Sequence, residues 1–292
     1  MKSSNFRSSF LEKVGCAAAD DGLLQQILAQ SPLDRHQLCD FLTKRPLPSD
    51  KRVAVWKLLL GITATHEEAR SFVDAQYEDS FVALRHSVTT VMRAGRREKP
   101  AATDPPTKLS AADVCRMAVL LTDTVPCRVL CAPTDELRLA VAENMLRLCE
   151  RESDAFWLSA RLGSLLHEQL AASALTVELR LTVRKLDAEL SDHLSKTTLF
   201  GTAPLAAAAR QAVVCLLKSR SAWTSRRATL RFVDGVLCGA ADRSLPTVVA
   251  SALVSGKSVL MATLPEEMSK LNIAELFGSF VSIDRYIRDD DT

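Results

Sequence analysis

Few residues in this chain are spaced for chemistry. Asp113-Val-Cys-Arg116 sets a carboxylate and a guanidinium at positions i and i+3, which on a helix makes them neighbours and hence a surface ion pair. Glu67-Glu68 and Asp289-Asp-Asp291 bring carboxylates together, but at a helix start and in a tail, where water solvates them instead of shaping them for acid–base work. There is no G-x-S-x-G elbow, no H-E-x-x-H helix and no glycine-rich phosphate loop. Nucleophilic, zinc-dependent and nucleotide-hydrolysing chemistry therefore lack their usual framework. The eight cysteines, at 16, 39, 115, 127, 131, 149, 215 and 238, fall mostly in helical patterns and form no C-x-x-C pair. They read as reduced core thiols of a cytosolic protein. Cys127 and Cys131 lie one helical turn apart, but the histidines are scattered, so no metal and no cofactor is expected.

The elements that must position these groups are helices. At 292 residues the chain can bury a sizeable core without staples. Its 47% hydrophobic and 25% charged content, with only 5% aromatic residues, is what amphipathic helices contain. An all-α class follows, and the absence of strand patterns excludes the β-α phosphate-binding units of a GTPase itself. A net charge of +2 and a pI near 8.1 are too balanced for a nucleic-acid surface or a polybasic membrane anchor. The basic clusters Arg93 to Lys99 and Arg226-Arg227 read as solvated surface, and no nucleic acid is implied. No secretory signal is read at the N-terminus. The most apolar stretch, Thr247 to Leu264, is interrupted by Gly256, Lys257 and serines, so it predicts a buried core helix instead of a membrane span. Any membrane association would come through partners.

Turn and capping signals divide the chain into helices over Phe6 to Ala18, Gly22 to Gln30, Asp34 to Lys44, Ser49 to Leu60 and Glu67 to Arg93, the last ending before Gly95. Ala94 to Thr107 is polar and proline-containing and predicts a flexible loop, extending to about residue 109, in which Thr103 and Thr107 are phosphorylatable. Ser110 then caps a helix through Leu121, Pro126 and Pro133 bound an irregular stretch, and Thr134-Asp-Glu starts a helix to about Arg151. Helices over Asp154 to Ala171, Leu175 to Leu194, Ala206 to Ser219, Arg226 to Leu237, Pro246 to Thr263 and Ile273 to Asp289 complete the set. A degenerate α-solenoid is the alternative architecture.

One segment carries a specific signature. In Arg52-Val-Ala-Val-Trp56-Lys-Leu-Leu59-Leu60-Gly61, Val53, Trp56 and Leu60 fall at i, i+3 and i+7, so the indole rides the buried face. Ser49, after Leu47-Pro48, is placed to cap this helix, with Asp50, Lys51 and Lys57 pointing outward. Farther on, the polar turn Glu150-Arg-Glu-Ser precedes Asp154-Ala-Phe156-Trp157. Leu230-Arg231-Phe-Val-Asp234, followed by Gly239, is a third motif of the same kind. In order and spacing these three segments resemble the signature of the TBC domain, the Rab GTPase-activating fold, with Val233 standing where that family usually has tryptophan. The resemblance implies one two-lobed helical domain over residues 1–292, with an N-terminal lobe of about 1–170 and a C-terminal lobe of about 171–292.

In that family an arginine in I-x-x-D-x-x-R and a glutamine in Y-x-Q-G act on Rab-bound GTP. The arginine offsets charge developing on the transferred phosphoryl group, an effect of about 10³ to 10⁵ in rate, and the glutamine orients the attacking water. Counting back from Asp154 by the family's usual interval places the glutamine near Asp135-Glu-Leu-Arg138, where Leu137 stands and no Tyr-x-Gln-Gly is present. An aliphatic side chain cannot hydrogen-bond water. Arg116 is a weak candidate for the arginine finger, because Ser110 replaces the isoleucine of the motif. Arg52 belongs to the structural signature and is not the finger. The resemblance thus implies a degenerate domain that is not an enzyme.

Asn5-Phe-Arg-Ser8 and Glu12-Lys-Val-Gly15, a short interval before the Arg52 signature, are similar to the small TBC subfamily that forms the third subunit of the tuberous sclerosis complex. That similarity implies binding to the coiled coil of hamartin and, through it, to tuberin, restraining the Rheb GTPase and target-of-rapamycin signalling. It also implies cytoplasmic residence with recruitment to lysosomal or vesicle surfaces through partners. The competing expectations are an active Rab GTPase-activating protein in vesicle trafficking and a helical adaptor with unrelated partners.

Overall fold

The computed structural model describes residues 21–45, 47–96, 108–121, 135–171, 173–196, 202–218, 222–238, 241–255 and 257–262. The helix expected over Phe6 to Ala18, the motifs at Asn5 and Glu12, Pro126, Pro133, Gly239, Thr103, Thr107 and the helix expected from Ile273 lie outside them.

Among the described residues every element is a helix, as the composition requires. Helix α1 passes through 21–28. It is followed by α2 (Arg35–Lys44), α3 (Arg52–Leu59), α4 (Glu67–Arg96), α5 (Ala111–Leu121), α6 (Glu136–Leu148) and α7 (Glu152–Ala171). Then come α8 (Ser173–Leu186), α9 (Ala188–Ser195), α10 (Thr202–Lys218), α11 (Ala222–Leu237), α12 (Ala241–Ser255) and α13 (Lys257–Ala262). The core runs through all of them: α7 packs on α3, α4, α5, α6, α8 and α10, while α12 packs on α8, α10 and α11. The N-terminal helices α2 and α3 reach α11 directly.

Local rules explain the helix starts. The Asp34 carboxylate accepts from His36 N and Gln37 N, and Asp135 accepts from Leu137 N and Arg138 N. At α5 the Ser110 hydroxyl accepts from Asp113 N at 3.2 Å, while the Asp113 carboxylate accepts from Ser110 N at 3.3 Å. This is a reciprocal box that satisfies two otherwise orphaned donors. Helix α3 stops at Gly61, whose φ of 68° is disfavoured for residues with a Cβ. Ile62 N donates to Lys57 O at 2.9 Å and Gly61 N to Leu58 O at 3.2 Å, the paired bonds of a Schellman cap.

Several expectations need correction. Ser49 does not cap α3: Lys51 occupies the N-cap position without a side-chain bond, and 49–51 form a turn. Val55, Trp56, Leu58 and Leu59 are buried while Val53 and Leu60 are only partly so, which turns the apolar stripe slightly from the expected face. Helix α4 continues through Gly95 to Arg96, because a single glycine weakens a long helix without ending it. The loop's C-terminal edge is pinned, since Leu109 is buried and its N–H donates to Glu152 Oε1 at 2.8 Å. The stretch Leu175 to Leu194 is two helices, parted at Asp187, which takes an extended conformation and caps α9 by accepting from Leu190 N at 2.9 Å. Pro246 lies inside α12 instead of opening it, losing one backbone bond near the helix start while its neighbours Leu245, Val248 and Val249 are buried. The apolar run from Thr247 is divided between α12 and α13, and no described helix is long and apolar enough to cross a membrane.

Candidate functional site

The three signature motifs, far apart in sequence, meet at two junctions. In the first, the fully buried indole of Trp56 on α3 donates through Nε1 to Asp234 Oδ1 on α11, at 2.7 Å and across 178 residues. Arg52, one turn earlier on α3, sets Nη2 at 3.6 Å from Asp234 Oδ2 and donates to Leu47 O at 2.7 Å. Burial pushes the Asp234 carboxyl above its ordinary value, against the pull of the Arg52 guanidinium and the Trp56 N–H. Arg231, on the preceding turn of α11, adds a further positive charge nearby. Val233, which stands where the resembled signature usually carries tryptophan, is 1% exposed and fills core.

The second junction joins α3, α4 and α7. Lys57, expected to face outward, is instead 12% exposed and bridges Asp154 at 2.9 Å and Asp74 at 3.1 Å. Of the expected polar turn before Asp154, Glu150 and Arg151 form a bend while Glu152 and Ser153 already open α7, and side chains of this stretch clamp α4. Arg151 pairs with Glu78 at 2.6 Å, Ser153 Oγ donates to the same carboxylate at 2.6 Å, and Glu152 pairs with Arg85 at 2.6 Å. Trp157 Nε1 donates to Tyr77 O at 2.9 Å with its ring edge-on to Tyr77 at 4.7 Å, while Phe156 is fully buried against Phe81 and Trp157. These contacts are positional: they orient α3, α4 and α7 against one another.

Burial disfavours the charge on Lys57, but the Asp154 and Asp74 carboxylates outweigh it and hold the ammonium above its ordinary 10.5. Its stabilising contribution is therefore complete below pH 10.5 and is lost as pH rises through the higher folded value. Lys57→Met is expected to lower stability at pH 7 and to flatten the decline above 10.5, measured by urea unfolding across that range; an unchanged alkaline slope would contradict the bridge.

The residues matched to the two finger positions, Arg116 and Leu137, lie on α5 and α6. Arg116 Nη1 sits 2.7 Å from Asp113 Oδ1, and Asp113 is also bonded to Ser110, so the guanidinium is held against its own helix. Leu137 is 1% exposed and contributes its side chain to the core. Just before it, Asp135 accepts from Arg210 on α10 at 2.6 Å, which ties α6 to α10; burial opposes its charge, yet Arg210 and the Arg138 N–H hold its carboxyl below the usual range. A cavity of about 270 Å³ opens between α5, α6 and α7, with Val114 and Ala118 among its apolar lining, Arg138 and Arg161 as its cations and Trp157 on one wall. No group of three or more His, Cys, Asp or Glu side chains suited to a metal ion occurs among the described residues.

The motif residues Arg52, Trp56, Leu59, Gly61, Asp154, Phe156, Trp157 and Asp234 are legible in the sequence, but their pairings are not. Leu59 is buried, Leu60 is half-buried at the helix end, and Arg231 is half-buried on α11. The missed participants at the second junction are Lys57, Asp74, Tyr77, Glu78, Phe81 and Arg85. The only hint to Lys57 was its place one residue after a buried tryptophan, on the edge of an apolar stripe.

No family model matches the chain. It is 36% identical over 162 residues to the Danio rerio protein named TBC1 domain family member 7, a match covering 53% of this chain and 50% of that protein. To the Homo sapiens protein of the same name it is 31% identical over 160 residues, covering 54% and 51% respectively. The Xenopus tropicalis protein matches at 30% over 161 residues, with 53% and 50% covered. The chain spans about half the length of the curated relatives it matches, and over that half it resembles a TBC-domain protein.

Proposed function

We propose that this chain, a TBC-domain protein by its likeness to TBC1 domain family member 7, acts through protein contacts as a non-catalytic or weakly catalytic subunit. Its partner is the coiled coil of hamartin and, through it, tuberin, so that it stabilises the tuberous sclerosis complex and restrains Rheb and target-of-rapamycin signalling. The domain is two-lobed, and recruitment to lysosomal or vesicle surfaces runs through those partners. The observation that carries this reading is the similarity to proteins of that one name, from fish to mammals, over half of the chain. Two features support it. Arg116 is paired with Asp113, and Leu137 is turned into the core, an arrangement that suits a domain acting without the two fingers. Val177 and Leu181, one turn apart on α8, are 60% and 52% exposed, and Phe72 on α4 is 68% exposed. Apolar side chains at such spacing are what an amphipathic partner helix covers.

The test is co-purification of the chain with the C-terminal coiled coil of its own organism's hamartin, followed by the thermal midpoint of the mixture. A stable complex with a raised midpoint is expected. Absence of binding at micromolar concentration overturns the reading. The catalytic alternative is established instead if the chain stimulates a Rab GTPase and Arg116→Ala removes about 10³-fold of that stimulation.

A further inference from the structure

The cavity of about 270 Å³ between α5, α6 and α7 lies beside the second junction, and helical spacing builds its walls. On α7 Trp157, Ala160, Arg161 and Ser164 recur at i, i+3, i+4 and i+7 and so share one face, which α5 meets with Val114, Ala118 and Leu121 at i, i+4 and i+7. Val114, Ala118 and Trp157 are buried and make the floor. Leu121 is 43% exposed and stands with the exposed Arg161 at the mouth. Arg138 crosses from α6 with its stem along α7, where a Cβ on Gly163 would sit 3.7 Å from Arg138 Cγ. Apolar floor and charged rim thus face the same space.

We propose that this cavity binds a small organic acid, a phosphate or carboxylate carried on a ring-sized apolar body, with the acid group at Arg138 and Arg161 and the body against Trp157, Val114 and Ala118. The hydrogen-bonding state of the lining selects that class. The Trp157 N–H is already spent on Tyr77 O, and the Ser159 hydroxyl donates to Ala155 O at 2.5 Å. The strong donors left to a ligand are the two guanidiniums and the Ser164 hydroxyl, and no carboxylate lines the cavity to receive a cation. Arg138 Nε is 3.5 Å from Asp135 Oδ2, but Arg210 engages that aspartate more closely, at 2.6 Å. Among the described residues Arg161 forms no ion pair. Two positive charges beside low-dielectric apolar walls focus their field on an anion, and the planar fork of arginine matches either oxyanion. Size agrees as well: a cavity of about 150 Å³ holds benzene, so 270 Å³ takes a ring together with its acid group. The exposed apolar residues of α4 and α8 do not line this space, so the site goes beyond the partner-binding reading and does not depend on it.

The experiment titrates the full chain calorimetrically with phenyl phosphate and with benzoate, and with inorganic phosphate and toluene as the two halves of the ligand. At least one of the aromatic acids is expected to bind with a Kd of about 10⁻⁴ M or tighter, and the tighter of the two identifies the acid group. Arg161→Gln, at an exposed position where the fold is not at stake, should weaken that binding about tenfold with an unchanged thermal midpoint. Ala160→Leu, which fills the cavity from α7, should abolish it while leaving the chain folded. Failure of both acids to bind at about 5 mM overturns the proposal. So does equal affinity in wild type and Arg161→Gln, or toluene binding as tightly as the acids, which would make the cavity a purely apolar one. Inorganic phosphate binding as tightly as phenyl phosphate overturns it too, since that is an ion at an exposed guanidinium only.

Discussion

Asp234→Ala is expected to lower the unfolding free energy by about 3–5 kcal/mol, because it removes one partner of a buried charged pair and strands the other. Arg52 is 12% exposed and its Nε already has no hydrogen-bond partner, so the Asp234 carboxylate is a principal compensation for its charge. The Trp56 N–H, fully buried, would be stranded as well. Denaturant unfolding should show a lower midpoint with an unchanged slope. A loss below about 1 kcal/mol would mean that the junction is not what joins α3 to α11. Asp234→Asn separates the two contributions, since an amide still accepts from Trp56 but carries no charge. The sign of the pH effect is opposite to that of an ordinary salt-bridged acid. Burial raises Asp234 above 3.8, so the native state holds this proton more tightly than the unfolded chain does. Its share of stability then falls as pH rises from 3.8 through the folded value, and Asp234→Asn should flatten that part of the profile.

Phe156→Ala is expected to cost about 3–5 kcal/mol, the range for a large aromatic removed from a core that cannot fully collapse. The ring is fully buried, 5.8 Å from Phe81 on α4 and 4.8 Å from Trp157 between centroids. Its loss leaves a void at the crossing of α4 and α7, where Trp157 is held by Tyr77 on one side and Phe156 on the other. The emission of Trp157 should therefore shift towards longer wavelength in the folded variant, as water gains access to the indole. Phe156→Leu, which keeps most of the volume, should recover more than half of the lost stability. If the leucine variant were as unstable as the alanine one, ring geometry and not filled volume would be the governing term. The two substitutions lie on different junctions with no shared partner, so their effects should add within about 0.5 kcal/mol.

What the sequence alone determined is whatever depends on neighbours within one helical turn. The all-α class and most helix spans were legible because backbone bonds and apolar periodicity are local. The cap at Ser110 and the helix starts near Asp34 and Thr134-Asp-Glu were legible for the same reason, and the structure makes Asp34 and Asp135 the capping residues, each needing only the N–H groups two or three residues on. Asp187-Ala-Glu-Leu190 carries the same kind of signal in the middle of an apolar period, and the cap rather than the period decides where α9 begins. The TBC resemblance was legible too, since its motifs are short runs.

Only the tertiary structure decided what those motifs do. A lysine at the edge of an apolar stripe belongs in water unless acids from other helices meet it, and Asp74 and Asp154 do so only after α4 and α7 have packed on α3. Trp56 must donate its N–H somewhere when buried, but that the acceptor lies 178 residues away on α11 is a property of how helices stack. Pro246 within α12 and Gly95 within α4 are similar cases: their local penalties are small beside the apolar surface that the surrounding helix buries. The contact of α2 with α11 has no local signal either, since pairings across helix faces are set by the summed burial of many side chains, which no single spacing encodes.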